Sequence, residues 1–238
     1  MTEESFSFTP MTYRLNVYIA QQIASQIICG QLPVGSKLPN ELDLCQRFGV
    51  SRTALRESIK LLASKGLITS KPKVGTFIQP RKYWQFLDRQ LLEWLKDSED
   101  PQHFLKQFLG LRKSIEPAAC AFSAEFATEE QRQRLTTHFN AMEIASKNKD
   151  ADAWTLADLN FHALIFQSTS NDFFTPFGNV LTTVYQCFFN HTSVRGHFCI
   201  QEHRAVYQAI MDKDPEVART ASNILLKNNH ELLSLNPA

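Results

Sequence analysis

The sequence lacks several features that would place a protein in a specialised class. No apolar run approaches the length of a membrane-spanning helix, and the opening MTEESFSFTP is polar and acidic, without the cationic head and apolar core of a secretion signal. The five cysteines are odd in number and include no C-x-x-C pair, which indicates reduced thiols and not a disulfide framework. From these absences we expect a cytoplasmic protein without a membrane span.

The formal net charge is only +1, but the charge is unevenly distributed along the chain. Residues 1–80 carry nine Lys and Arg against five Asp and Glu, and residues 81–238 carry sixteen against nineteen, so the front part is the one suited to an anionic partner. Glycine and proline punctuate the front part, whereas long amphipathic segments follow. The composition shift predicts two domains, residues 1–80 and 81–238, in a mainly α protein.

The front domain has the pattern of a winged helix-turn-helix. Apolar spacing predicts helices at 13–29, 40–48 and 51–65, with Ser51 as the cap of the third, and short strands at 67–69 and 76–78. A tight Gly-Val turn separates the second helix from the third, and the strands flank the lysine-containing turn KPKVG. This order predicts a DNA-binding module.

Residues suited to contact DNA follow from this layout. The second helix of such a module enters the major groove, where arginine can pair with guanine, and lysines on the wing attract phosphates. Gly75 would let the wing backbone approach the sugar-phosphate chain. On an isolated helix, the basic stripe of Arg52, Arg56 and Lys60 would more simply be a solvated face. The predicted DNA-binding residues are Ser51, Arg52, Thr53, Arg56, Lys71, Lys73 and Gly75.

Three motifs follow one another in this domain. They are the P-x-G-x-x-L-P-x-E entry, the V-S-R-T-x-L-R-E helix and the L-x-x-x-G-L-I and G-T-F-I segments of the wing. Together they resemble the DNA-binding domain of the GntR family of bacterial transcription regulators, over nearly all of residues 13–80. The resemblance implies a sequence-specific regulator, and one reading helix per half-site predicts a homodimer on a near-palindromic double-stranded DNA operator.

The second domain is expected to be a single all-helical bundle. Amphipathic segments separated by short polar links predict helices near 83–96, 101–126, 129–147, 150–168, 173–192, 202–211 and 214–235. The first of these would be a linker helix.

The segment DLNFHALIFQ places Asp158 and His162 four residues apart, so both side chains leave one face of a helix. Taken alone, the pair favours a buried hydrogen-bonded network. However, DLNFH together with LRKSIEPAACAFSA and QEHRAVYQAIMDKD resembles the FCD effector domain of the FadR-type branch of the GntR family. The resemblance implies a small carboxylate bound in the bundle, often on a metal held by one Asp and three His, with Asp158, His162 and His203 in three of those places.

The fourth place falls on Leu225, whose apolar side chain cannot bind a metal. Three protein ligands with water or the effector carboxylate can still hold zinc or nickel. Alternatively, Asp158, His162 and His203 hydrogen-bond the effector directly in a metal-free pocket.

The same resemblance implies that Arg112 turns inward and binds the effector carboxylate. Its planar guanidinium is well shaped for this contact. It could equally pair with Glu116, four residues on, and both contacts could coexist.

The pattern W-x-x-L-D-x-x-L-L-x-W-L in residues 84–95 resembles the linker helix of the galactonate-responsive, sugar-acid type of regulator. It favours a hexonate or a similar polyhydroxy acid as the effector.

The sequence therefore predicts a DNA-binding transcription regulator, a repressor controlled by a small carboxylate, and not an enzyme. A metal-dependent hydrolase or lyase using Asp158, His162 and His203 is the alternative, but no general base, nucleophile or phosphate loop accompanies these residues, and it leaves the DNA-binding module unexplained. An architectural DNA-binding protein with a vestigial bundle is a third possibility.

Overall fold

Helices make up most of the chain, which confirms the mainly α fold class. The computed structural model describes residues 11–96, 101–188 and 199–234. Within these ranges there are ten α-helices, one short 3-10 helix and two strands. Packing divides the chain into two compact units, Met1–Glu99 and Asp100–Ala238. In the part of the chain that the structure describes, no helix is long and apolar enough to cross a membrane.

The first unit begins with three helices that match the predicted ones to within two residues. They are α1 (Met11–Ile28), α2 (Glu41–Phe48) and α3 (Arg52–Ser64). The side chain of Asn40 accepts a hydrogen bond from the Asp43 N–H and starts α2, and Ser51 does the same for α3 through the N–H of Ala54. Apolar side chains from α1, α2, α3 and the wing form the core: Ile19, Ile23, Leu44, Leu55, Leu62 and Ile78.

The wing is a two-stranded antiparallel sheet of β1 (Ile68–Lys71) and β2 (Gly75–Ile78), in which Ile68 lies opposite Ile78. Residues 35–38 run along the other edge of β2. The N–H of Leu38 donates to the Thr76 carbonyl at 2.8 Å, and the N–H of Ile78 donates to the Ser36 carbonyl at 3.0 Å. The unit is therefore the winged helix-turn-helix that the sequence predicts.

The predicted helix at 83–96 is wrong in its first half. A 3-10 turn occupies Arg81–Tyr83, and α4 covers only Arg89–Leu95, starting where Asp88 accepts a hydrogen bond from the Leu91 N–H at 2.8 Å. The segment between them is held against the end of α3, because the N–H of Gln85 donates to the carbonyl of Lys65 at 3.0 Å. These contacts replace those of a helical turn.

Gly66 is required for this close approach. Its φ is +74°, and a Cβ added at this position would lie 1.9 Å from the carbonyl oxygen of Tyr83.

The predicted domain boundary lay near Pro80, which assigned residues 81–96 to the second domain. In the structure α4 packs against α1 and falls within the first compact unit.

In its described residues the second unit consists of helices joined by short links, which confirms the predicted order of helices. They are α5 (Pro101–Phe126), α6 (Glu129–Asn148), α7 (Ala151–Gln167), α8 (Thr175–Phe188), α9 (Ile200–Met211) and α10 (Pro215–Ser234). Residues 189–192 of the predicted 173–192 helix lie outside the described residues, as does residue 235. Because α5 packs against α7, α8, α9 and α10, a polar side chain on its inner face is surrounded by the bundle.

Candidate DNA interface and candidate effector site

Helix α3 has one buried face and one exposed face. Ala54, Leu55, Ser58 and Leu62 are buried, and the Ser58 hydroxyl donates to the Asn16 carbonyl of α1 at 2.9 Å. The predicted DNA-binding residues of this helix lie on the exposed part of its surface: Ser51, Arg52, Thr53 and Arg56. The packing of α3 on α1 therefore sets which side chains are available to a partner.

Two of the three cations in the basic stripe on α3 form ion pairs with nearby acidic residues. Arg56 donates from Nε to both carboxylate oxygens of Glu41, at 3.2 and 3.1 Å, and Lys60 pairs with Glu57 at 2.7 Å. Among the described residues, no carboxylate forms an ion pair with Arg52. Glu41 thereby fixes the Nε side of the Arg56 guanidinium and leaves its two terminal nitrogens directed elsewhere. The sequence analysis missed Glu41, because its pairing with Arg56 joins two different helices.

The wing presents exposed lysines at its turn. Lys71 ends β1, with its ammonium 5.3 Å from the centre of the Phe77 ring, and Lys73 lies in the turn with a positive φ of 59°. At Gly75 the backbone φ is +134°, and a Cβ there would lie 2.2 Å from Cε of Lys37. Gly75 thus makes room for Lys37, a residue that the sequence analysis did not single out.

Three predicted effector residues meet inside the second unit. Asp158 and His162 leave one face of α7, and His203 comes from α9. His203 Nε2 lies 2.8 Å from Asp158 Oδ1, His162 Nε2 lies 3.4 Å from the same oxygen, and the two Nε2 atoms are 3.2 Å apart. Their possible ligand atoms all lie within 4.8 Å of one another. Both histidines are buried, and Asp158 keeps a side-chain exposure of 13%.

The Nδ1 atoms of both histidines lie beside oxygen atoms of other residues. His203 Nδ1 lies 2.6 Å from the carbonyl oxygen of Cys199, and His162 Nδ1 lies 2.5 Å from Glu116 Oε1. In the tautomer that carries its hydrogen on Nδ1, an imidazole directs the Nε2 lone pair to the centre of the cluster. Two Nε2 atoms and a carboxylate oxygen then face one another, and a proton or a metal ion is needed between them. Backbone carbonyl and carboxylate partners of this kind commonly orient metal-binding histidines.

Arg112 lies next to this cluster and is also buried. Its Nε donates to Glu116 Oε2 at 2.5 Å, its Nη2 donates to Glu116 Oε1 at 3.3 Å, and its Nη1 donates to the hydroxyl of Tyr185. The pairing with Glu116 that the spacing allowed is therefore present. Tyr185 was not predicted, since no local pattern links α8 to α5.

In this cluster the effect of burial on each pKa is opposed by the neighbouring charges. Burial alone would raise the pKa of Glu116, but the charge of Arg112 and the imidazole of His162 lower it to about 2. Burial would likewise raise the pKa of Asp158, which His162 and His203 hold well below its usual value. For His162, burial works toward a lower pKa, and the carboxylates of Glu116 and Asp158 raise it. Both acids are thus ionised, and the pKa of His162 lies above its usual value.

The residues present can hold a divalent metal with three protein ligands. One carboxylate oxygen and two imidazole nitrogens are a set that zinc and nickel accept, with further positions left for water or a ligand. Leu225 in α10 is fully buried and apolar, and it supplies no fourth ligand. A metal held only by Asp158, His162 and His203 would keep a coordination position open for an oxygen atom of a bound ligand.

Comparisons with known proteins agree for both units. Residues 15–78 match the family described as bacterial regulatory proteins, gntR family, and residues 107–228 match the FCD domain. The HTH-type transcriptional regulator YieP of Escherichia coli (strain K12) is 33% identical over 90% of this chain and 93% of that protein. The galactonate operon transcriptional repressor of the same organism is 28% identical over 92% of this chain and 96% of that protein.

A solved structure of Lar, described as controlling expression of the Listeria monocytogenes agr system, has a TM-score of 0.62. It is 18% identical, with 97% of this chain and 100% of that chain covered, and at this identity the likeness shows the fold alone. The gntR family is described as regulatory proteins, and the two relatives are named as a transcriptional regulator and a transcriptional repressor, not as enzymes. These names decide against the metal-dependent hydrolase or lyase.

Proposed function

Since the chain belongs to the GntR family of bacterial regulatory proteins and is a transcriptional regulator of the GntR and FCD type, we propose that its first unit binds an operator under the control of a small carboxylate bound in its second unit. Five ionisable side chains carry the effector half of this proposal: Arg112, Glu116, Asp158, His162 and His203. Charges buried in a helical core cost stability unless they are fully paired, and their concentration at one place points to binding.

The charge balance of the cluster favours an anionic effector. Arg112 and a protonated His162 carry two positive charges, which balance the carboxylates of Glu116 and Asp158. If a divalent metal takes the place of the proton, the same group carries one net positive charge, which a carboxylate would neutralise. A metal bound there supplies Lewis-acid binding of a carboxylate or hydroxyl oxygen.

Arg112 retains the capacity to bind the effector. A guanidinium has five N–H donors, and the contacts to Glu116 and Tyr185 use three of them. Two donors remain for a carboxylate. Glu116 and Tyr185 hold the guanidinium plane in one orientation, which supports its use as a fixed anion-binding group. The effector residues we propose are Arg112, Asp158, His162 and His203, with Asp158, His162 and His203 as ligands when a metal is present.

A polyhydroxy acid is the effector class we propose, with repression as the sign of regulation. The support is the similarity to the galactonate operon transcriptional repressor and the sugar-acid pattern in residues 84–95. We further propose that the chain acts as a homodimer in the cytoplasm, where the chromosome lies. One recognition helix in each protomer would read one half of a near-palindromic operator.

The DNA-reading half of the proposal is tested on arginine variants of the full chain. An operator is first selected from random duplexes, and affinities for the operator and for unrelated duplex are then measured by fluorescence anisotropy. Arg52→Ala and Arg56→Ala should each reduce operator affinity by about 5-fold to 150-fold, because a guanine contact is worth about 1–3 kcal/mol. Binding to unrelated duplex should fall much less.

Arg134→Ala is the matched control, since Arg134 is an exposed arginine of the second unit. It should leave both affinities unchanged. Far-UV circular dichroism verifies that each variant is folded. Operator preference that survives both α3 substitutions contradicts the assignment of α3 as the reading helix.

A further inference from the structure

The two segments that form the wing and its edge carry three lysines and no acid. Residues 30–40 contain Lys37, residues 66–80 contain Lys71 and Lys73, and neither segment includes Asp or Glu. All three side chains are exposed, and among the described residues none of them forms an ion pair. Like charges gathered at one place repel one another, so this part of the surface is suited to a polyanion.

The backbone fixes Lys37 at the edge of the wing. Lys37 forms an antiparallel bridge with Phe77, and the neighbouring N–H of Leu38 donates to the Thr76 carbonyl at 2.8 Å. The N–H of Gly35 donates to the Ile78 carbonyl at 3.0 Å. Residues on both sides of Lys37 are thus bonded to β2, and its Cα cannot move independently of the wing.

The side chain of Lys37 lies across the start of β2. A Cβ at Gly75 would lie 2.2 Å from Cε and 3.0 Å from Nζ of Lys37, so the end of the lysine side chain, Cε above all, occupies the space that the glycine leaves. In the strand register Gly75 is opposite Lys71, and Lys73 lies in the turn that joins them. Gly75 therefore allows the Lys37 ammonium to lie beside the wing turn.

From this arrangement we propose that Lys37 is a third cation of the wing and binds a phosphate of the DNA backbone, with Gly75 as the residue that positions it. The inference rests on the proposed DNA-binding function. Lys37 contributes affinity without base preference, because an ammonium on a flexible stem attracts phosphate as a point charge.

The test is the salt dependence of DNA binding by the full-length Lys37→Met variant. Methionine keeps much of the aliphatic stem and removes the charge. Each neutralised phosphate contributes about 0.9 to the slope of log K against log salt, so the slope should decrease in magnitude by about 1. Operator and random duplex should lose affinity by the same factor. An unchanged slope overturns the proposal, and so does a loss confined to the operator, which would indicate base reading.

Gly75→Ala tests the positioning role, since its methyl group would displace the Lys37 side chain. It should reduce the slope in the parent chain, and in the Lys37→Met background it should cause no further reduction. An equal reduction in both backgrounds would show that the alanine acts by distorting the wing, and would remove Gly75 from the proposal. Lys147→Met, an exposed lysine of the second unit, is the charge-matched control and should leave the slope unchanged.

Failure of the proposed function gives a different result. If the parent chain shows no preference for any operator, the regulator's DNA-reading role fails. The parent chain could instead prefer an operator and show a steep dependence of affinity on salt. If Lys37→Met then shows the same salt dependence, only the assignment of Lys37 fails.

Discussion

Glu116 is completely buried and contacts a basic side chain on each side. One carboxylate oxygen lies 2.5 Å from Arg112 Nε, and the other lies 2.5 Å from His162 Nδ1. Removing one member of a buried ion pair leaves the other charge without compensation, which costs far more than losing a surface contact. Glu116 therefore couples the orientation of Arg112 to that of His162.

Replacing Glu116 with Gln tests this coupling at the residue scale. The nearly isosteric amide removes the negative charge, and we expect the free energy of unfolding to fall by about 3–5 kcal/mol, the usual cost of breaking a buried pair. The measurement is urea unfolding of the full chain, followed by far-UV circular dichroism.

Glu125→Gln on the exposed side of the same helix is the control and should change the free energy of unfolding by less than about 0.5 kcal/mol. Equal unfolding midpoints for the two variants would mean that Arg112 finds compensation elsewhere.

At the scale of elements, the end of α3 is joined to the start of α4. Lys65 is buried, and its ammonium lies 2.8 Å from both oxygens of Asp88 and 5.7 Å from the centre of the Trp94 ring. Asp88 is also the N-cap of α4. One carboxylate thus both starts α4 and binds it to the helix that carries the predicted base-reading residues.

Asp88→Asn separates these two roles, since asparagine can still cap α4 but cannot neutralise Lys65. A hydrogen bond to a charged group contributes about 1.5–3 kcal/mol, so amide hydrogen exchange in α4 should become about 10-fold to 150-fold faster. Asp88→Ala should accelerate it further, because the cap is lost as well. The measurement is hydrogen exchange followed by mass spectrometry.

Glu93→Gln provides the comparison on the same helix, because it breaks the exposed Arg89–Glu93 pair. A pair of this kind contributes at most about 0.5 kcal/mol, so exchange in α4 should hardly change. If Asp88→Asn behaves like Glu93→Gln, the Lys65 contact does not hold α4 in place.

At the scale of the whole molecule, the proposed regulator must couple two binding events. An effector changes operator affinity only when it binds two arrangements of the protein with unequal affinity. The coupling free energy is reciprocal, so the operator must change effector affinity by the same factor. This relation holds whatever structural change carries the signal.

A thermal-shift screen of aldonates, uronates and dicarboxylates, each with and without a chelator, should identify at least one acid that raises the unfolding temperature. The effect should depend on added zinc or nickel if a metal occupies the cluster, and His162→Ala should abolish it in either case. With this acid, operator affinity should change by about 5-fold to 150-fold, and the operator should change acid affinity equally.

An acid that stabilises the protein without changing operator affinity would contradict regulation by that site. Failure of every acid to bind would contradict the proposed effector class. In the latter case the architectural DNA-binding protein becomes the better description.

Signals that act over a few residues were sufficient to predict most helices and the winged helix-turn-helix. Asn40 and Ser51 cap helices through hydrogen bonds to residues three positions on, and apolar periodicity indicates the buried face of each helix. The four-residue spacing of Asp158 and His162 likewise predicted that both side chains leave one face of a helix. The first half of the 83–96 helix was not, because Gly66 and Lys65 hold that segment from a distance.

The pairings that position functional groups depended on packing between elements. Glu41 orients Arg56, Lys37 lies across Gly75, and Glu116 reaches His162, and in each case the partners come from different helices or from a loop and a strand. Spacing along the chain carries no information about such contacts, since side-chain direction repeats only within one element. Sequence patterns accordingly identify the residue types and the faces they occupy, whereas the packing of α5, α7 and α9 sets the distances and charges of the proposed effector site.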